Sequence, residues 1–136
     1  MQRRLVELRR TLDQLREEVP TGAVELGADW RHRAVVERLL ERLVELAVAI
    51  NSHIAAVVGG VPPEEYRASF SAAAEAGALP RELAERMAPA AGLRNVIVHD
   101  YLDVDLSLLA DGANAAAEDF ASYVEAIARW LLDQTH

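Results

Sequence analysis

The residues best equipped for chemistry lie in one short run, Arg94-Asn95-Val96-Ile97-Val98-His99-Asp100-Tyr101. If the run is helical, each residue turns by ~100°. Arg94 at 0°, Asn95 at ~100°, His99 at ~140° and Tyr101 at ~340° then share an arc of about 160°. Val96 and Ile97 face the other way, with Asp100 between them. Asn95 and His99, four residues apart, can meet on the helix surface. Arg94 and His99 do not stack, so a site using both needs a bend at the helix end or a second copy of the motif.

An arginine can clamp a phosphate and stabilise charge on a phosphorane-like transition state. A histidine titrates near neutrality and can move a proton to or from a ribose 2′-OH. Asn95 can orient the imidazole or bond the substrate. Together these groups could cleave RNA without a metal, the 2′-OH acting as internal nucleophile. The same residues admit a structural role, in which His99 caps a helix end or pairs with Asp100 or Asp103.

The rest of the chain must position this run. Just over half of its 136 residues are hydrophobic and only 5% are aromatic. The apolar content is mostly Ala, Leu and Val, which points to an all-α chain with a real core. The length suits a single domain, 1–136. The net charge of −8 excludes a general electrostatic grip on nucleic acid, so any RNA contact must be local. All 14 basic residues are arginine, the better phosphate ligand where geometry matters. The absence of cysteine removes disulfides, thiol catalysis and Cys-ligated zinc. The N-terminus is soon interrupted by charge and does not read as a secretory signal. The apolar stretch from Leu43 to Val61 carries Glu45, Asn51, Ser52 and His53, too polar for a transmembrane span. The expectation is a cytoplasmic protein with no membrane segment.

Leu5, Leu8, Leu12 and Leu15 mark a first amphipathic helix, broken by Pro20, Gly22 and Gly27. Asp29 is placed to cap a second helix of about 45 Å that ends near Gly59-Gly60. Pro62-Pro63-Glu64-Glu65 opens a third, stopping around Gly77. Pro80-Arg81-Glu82 opens a fourth segment running through Leu83 and Met87 towards His99, with Pro89 and Gly92 kinking or splitting it. Leu102 to Ala110 reads as a connection with some helical character, and Asp111 or Asn114 as the start of a last helix holding Phe120, Tyr123, Ile127 and Trp130. The expected architecture is a bundle of about five helices around one long central helix.

Arg94-Asn95-x-x-x-His99-x-Tyr101 resembles the Arg-x(4–6)-His motif of the HEPN superfamily, in the His-x-Tyr form typical of HepT-like toxins. Arg38-Leu39-Leu40-Glu41 with Ile50-Asn51-Ser52-His53-Ile54 looks like that family's long second helix. Tyr66-Arg67-x-x-Phe70 and Leu83-x-x-x-Met87 fall where the family has similar segments, so the likeness spans roughly residues 29 to 130. The resemblance implies a homodimer whose two motifs meet in a cleft. It implies a metal-independent endoribonuclease acting on tRNA or mRNA, with Arg94 and His99 catalytic, Asn95 supporting and no cofactor. It also implies a minimal nucleotidyltransferase antitoxin that transfers AMP to Tyr101. The competing reading is a non-catalytic subunit that binds a nucleotidyltransferase and presents its substrate. An HD-type metal phosphohydrolase, prompted by His99-Asp100, would need further His and Asp ligands, and of these only Asp residues and His136 follow this late pair.

Other candidates carry weaker signals. His53 reads as a hydrogen-bonded, partly buried residue beside Asn51, and as a secondary candidate for the cleft. His32, between Arg31 and Arg33, reads as a solvated helix start. Arg3-Arg4 and Arg9-Arg10 form a basic edge, expected to be solvated and paired with Glu7 and Asp13, with an auxiliary RNA contact as the alternative. Asp103 and Asp105 are a weak cation signal. Trp30 and Trp130 are expected in the core or at a dimer interface.

Overall fold

A computed structural model of the chain describes residues 1–19, 28–59, 66–89 and 106–134. Five helices hold these residues, and no strand occurs among them. They are α1 (Gln2–Glu18), α2 (Trp30–Val57), α3 (Tyr66–Glu75), α4 (81–89) and α5 (Leu106–Gln134). The all-α reading and the long second helix both hold.

Local chemistry sets the boundaries. Helix α1 stops at Val19, whose φ of −56° and ψ of 121° are the extended geometry that a following proline demands. Asp29, also extended, accepts a hydrogen bond from the Arg31 backbone N–H at 3.0 Å and so caps α2 as expected. The chain leaves α2 through Gly59, in the left-handed region at φ +84°. After α3, Gly77 at φ +86° closes a Schellman turn: its N–H bonds the Ala74 carbonyl and the Ala78 N–H bonds that of Ala73, both at 3.0 Å.

Helix α1 buries Leu5, Leu8, Leu12 and Leu15 against α2 and α5. Two contacts show that α1 and α2 run antiparallel. His32 Nε2 donates to the Glu18 carbonyl at 2.6 Å, and Arg42 Nη2 meets Glu7 Oε2 at 2.6 Å, so rising numbers on one helix meet falling numbers on the other. The core continues through Leu43, Ile50 and Ile54 of α2, Phe70 of α3, Met87 of α4, and Phe120, Tyr123 and Ile127 of α5. Phe70 and Phe120 each meet the Tyr123 ring edge-on, with centroids 6.3 and 6.0 Å away.

Several expectations are corrected. Helix α5 begins by Leu106, not at Asp111 or Asn114. Leu109, Ala113, Ala116, Phe120 and Tyr123 form one buried stripe at helical spacing, and Asp111 faces outward from it. Asn114 lies within the helix, and its side-chain amide donates back to the Ala110 carbonyl at 2.9 Å. Trp130 is in the core, whereas Trp30 is not: it is 73% exposed, with the Arg31 guanidinium 5.3 Å from its ring centroid, which leaves the interface alternative of the expectation standing. His32 is not a solvated end residue, since it ties α2 to the last turn of α1. Glu7 pairs across to Arg42 rather than with the basic edge of its own helix.

Candidate functional site

The site predicted from sequence, Arg94, Asn95, His99 and Tyr101, lies outside the described residues, as do Asp103 and Asp105. What the structure supplies is the frame on either side. The chain enters the segment from α4 and leaves it into α5. Helix α4 is anchored by buried Leu83, Ala84 and Met87, and the start of α5 by buried Leu109, Ala110 and Ala113. Across the surface, Arg86 Nε bonds Asp119 Oδ1 at 3.3 Å, so the two flanking helices are also tied to each other. An exposed ion pair of this kind contributes little energy, and the apolar contacts beneath it do most of the holding.

His53 is the one sequence-predicted site residue within the described part. It is exposed near the C-terminal end of α2 and is not buried beside Asn51 as expected. A solvent-facing imidazole about one turn before the helix end is free to meet a polar partner.

Asn51 does something that the sequence reading missed. It is fully buried, and its amide nitrogen donates to Ser69 Oγ at 3.2 Å. Its carbonyl oxygen lies 2.7 Å from the Tyr123 hydroxyl, which also sits 3.1 Å from the Ala47 carbonyl. The hydroxyl offers its proton to these two acceptors. One buried polar knot thus joins α2, α3 and α5. Burial holds the Tyr123 ionisation well above the ordinary tyrosine range, so the ring stays neutral. The signal that could have revealed the knot is an amide at a core position of α2, with a serine and a tyrosine at core positions of two later helices.

Among the described residues no group of three His, Asp or Glu side chains could hold a metal ion. None of their helices is long and apolar enough to cross a membrane. A shallow groove between α4 and α5 is lined by Leu83, Arg86, Glu125 and Arg129, and Arg86 and Arg129 each have an acid nearby.

Comparison with known proteins adds what the frame leaves open. The family model described as "Ribonuclease HepT-like" matches residues 8–127. The chain is similar to the tRNA nuclease HepT of Aphanizomenon flos-aquae (strain 2012/KM1/D3), at 30% identity over 132 residues, covering 95% of this chain and 88% of that protein. It is also similar to the mRNA nuclease HepT of Shewanella oneidensis strain MR-1, at 28% identity over 88 residues, covering 65% of this chain and 66% of the other. Its fold superposes on the tri-AMPylated Shewanella oneidensis HEPN toxin solved in complex with an MNT antitoxin. The TM-score is 0.82 at 23% identity, over 93% of this chain and 95% of that one.

Proposed function

Because the chain belongs to the HepT-like ribonuclease family, we propose that it is the toxin of a toxin–antitoxin pair: an endoribonuclease that cleaves tRNA or mRNA without a metal. The observation that carries this reading is the family match over residues 8–127, within which Arg94, Asn95, His99 and Tyr101 keep the spacing of the motif.

The chemistry follows from the residue types. Arg94 binds the scissile phosphate and offsets the charge that grows on its oxygens. His99 in its neutral form takes the proton from the ribose 2′-OH. The 2′-oxygen attacks phosphorus, the bond from phosphorus to the 5′-oxygen breaks, and that oxygen leaves with a proton. The products are a 2′,3′-cyclic phosphate and a 5′-hydroxyl, and no redox partner or metal enters the balance. Residues five apart, such as Arg94 and His99, would not stack on a helix, so a homodimer with two motifs facing one cleft is part of the proposal. In it, His99 of the partner subunit, as imidazolium, protonates the leaving oxygen. Asn95 orients the imidazole. His53 is a secondary candidate for the rim of the cleft.

Neutralisation is proposed to run through a minimal nucleotidyltransferase antitoxin. The Tyr101 hydroxyl attacks the α-phosphorus of ATP, pyrophosphate leaves, and the phenolic proton goes to a base on the antitoxin. The added AMP places negative charge and bulk beside the phosphate-binding Arg94, which opposes RNA binding.

The deciding experiment is incubation of tRNA and mRNA with the unmodified protein in EDTA, beside His99→Ala. Cleavage that survives EDTA and vanishes in the variant is expected. An unmodified protein that binds its nucleotidyltransferase yet cuts neither RNA would overturn the nuclease reading in favour of a non-catalytic partner subunit.

A further inference from the structure

The basic edge of α1 is used by neither the core nor the proposed site. Arg3, Arg4, Arg9 and Arg10 stand within eight residues, and all four are exposed. None of them forms an ion pair among the described residues, although acids are plentiful in a chain of net charge −8. The one acid within the stretch, Glu7, is already matched: its carboxylate meets Arg42 of α2 at 2.6 Å. Arg3 and Arg10, seven residues apart, lie within ~20° of each other around the helix and about 10 Å apart along it, with Arg4 and Arg9 about 100° to either side of this pair. The opposite side of α1 is fastened to the core by Leu5, Leu8 and Leu12, so the arginines are presented on a rigid support. The positive end of the helix dipole lies at the same end.

We propose that this face of α1 is an auxiliary RNA-binding surface that takes the phosphate backbone of the substrate outside the catalytic cleft. The proposal rests on the nuclease reading for the identity of its ligand. Charge complementarity selects the occupant. An acidic protein approaches a polyanion unfavourably overall, and a local run of unpaired guanidinium groups is what reverses that sign. Guanidinium groups also suit phosphate oxygens in geometry. The surface carries no base-reading arrangement, so it contributes affinity and salt dependence rather than sequence preference.

The test replaces the four residues together, Arg3→Gln/Arg4→Gln/Arg9→Gln/Arg10→Gln, with circular dichroism to verify that the fold is retained. Binding of a labelled tRNA transcript is measured between 50 and 200 mM salt in a His99→Ala background, so that nothing is cut. The expected result is an affinity about tenfold weaker at the low end and a shallower salt dependence. With about 0.7 of logarithmic slope per single-strand phosphate contact, loss of four contacts flattens it by about 2–3. With His99 restored, KM rises while kcat holds. If wild type cuts RNA and the quadruple variant shows the same KM and the same salt slope, the surface is not an RNA contact and the nuclease reading survives. Unchanged RNA binding with loss of the antitoxin complex would give the face to a protein partner and also overturn the proposal. If the protein binds RNA through these arginines but cuts none, the surface stands and the nuclease reading falls. Neither binding nor cutting sinks both.

Discussion

The Tyr123 hydroxyl lies 2.7 Å from Asn51 Oδ1, a contact between residues 72 positions apart in the chain. It binds the middle of α5 to α2, and through Asn51 and Ser69 it reaches α3 as well. The knot is buried and the proposed catalytic chemistry uses none of its residues, so it should govern stability rather than rate. Tyr123→Phe removes the donor and leaves a buried amide oxygen without it. The expected cost is about 1–3 kcal/mol, read as a lower urea midpoint with an unchanged denaturant slope, while kcat on RNA stays within about twofold. A midpoint equal to that of wild type would mean that the Ala47 carbonyl and Asn51 need no such donor.

The same residue predicts an alkaline limit. Burial raises the Tyr123 ionisation well above its ordinary value in the folded chain, whereas the unfolded chain loses the phenolic proton near pH 10. The contribution is therefore complete below about pH 10 and is lost as pH rises beyond it towards the raised folded value. Urea midpoints measured across pH 9 to 11 should fall more steeply for wild type than for Tyr123→Phe. Parallel curves would show that other groups set the limit.

At Gly77 the backbone φ of +86° lies where a side chain is strained, although nothing stands within 4 Å of an added Cβ. The penalty of Gly77→Ala is therefore conformational and not steric, about 1 kcal/mol. Because the turn joins α3 to α4, thermal unfolding should shift down by several degrees, which calorimetry would detect. No shift at all would imply that the turn can relax to negative φ without loss.

Much of this fold is legible in the sequence because its boundaries are set by local chemistry. Asp29 before an apolar period, Gly59 after it, and Gly77 ahead of Pro80 are signals contained within a few residues. The start of α5 was misplaced for the converse reason. Asp111 and Asn114 look like caps, yet the Leu109–Ala113–Ala116 stripe already belongs to the helix, and packing overrides the capping preference. The burial of Asn51 and the exposure of His53, two residues apart, depend on which faces of α2 meet α3 and α5, and no local pattern contains that. Trp30, expected in the core or at a dimer interface, lies outside the core because it precedes the first buried position of α2, Val36. The candidate site was legible only as a spacing. Arg94, Asn95, His99 and Tyr101 fall outside the described residues, so their roles rest on residue chemistry and on the family.

Removal of either principal catalytic group should end cleavage without harming the fold. In the proposed chemistry His99→Ala removes the base, and Arg94→Ala the cation that stabilises the transition-state charge. Both should reduce kcat by at least about a hundredfold, with circular dichroism and light scattering unchanged from wild type. Two variants that cut as well as wild type would show that this motif is not the site. A wild-type protein that is monomeric at micromolar concentration would remove the shared cleft and, with it, the partner subunit's His99 as the acid.

Tyr101 separates catalysis from control. In the proposed chemistry the phenol moves no proton in the cutting step, whereas its oxygen is the nucleophile towards ATP in the antitoxin's reaction. Tyr101→Phe should therefore cleave RNA at close to the wild-type rate and gain no mass when incubated with the nucleotidyltransferase and ATP. Wild type should gain one or more AMP units and lose activity in parallel, because each unit adds negative charge where the substrate phosphate must bind. Intact-mass spectrometry run beside the cleavage assay distinguishes the outcomes. If Tyr101→Phe still gains AMP and is silenced, the acceptor is another hydroxyl. If it gains none and is silenced all the same, neutralisation works by complex formation, and the antitoxin must cover the cleft.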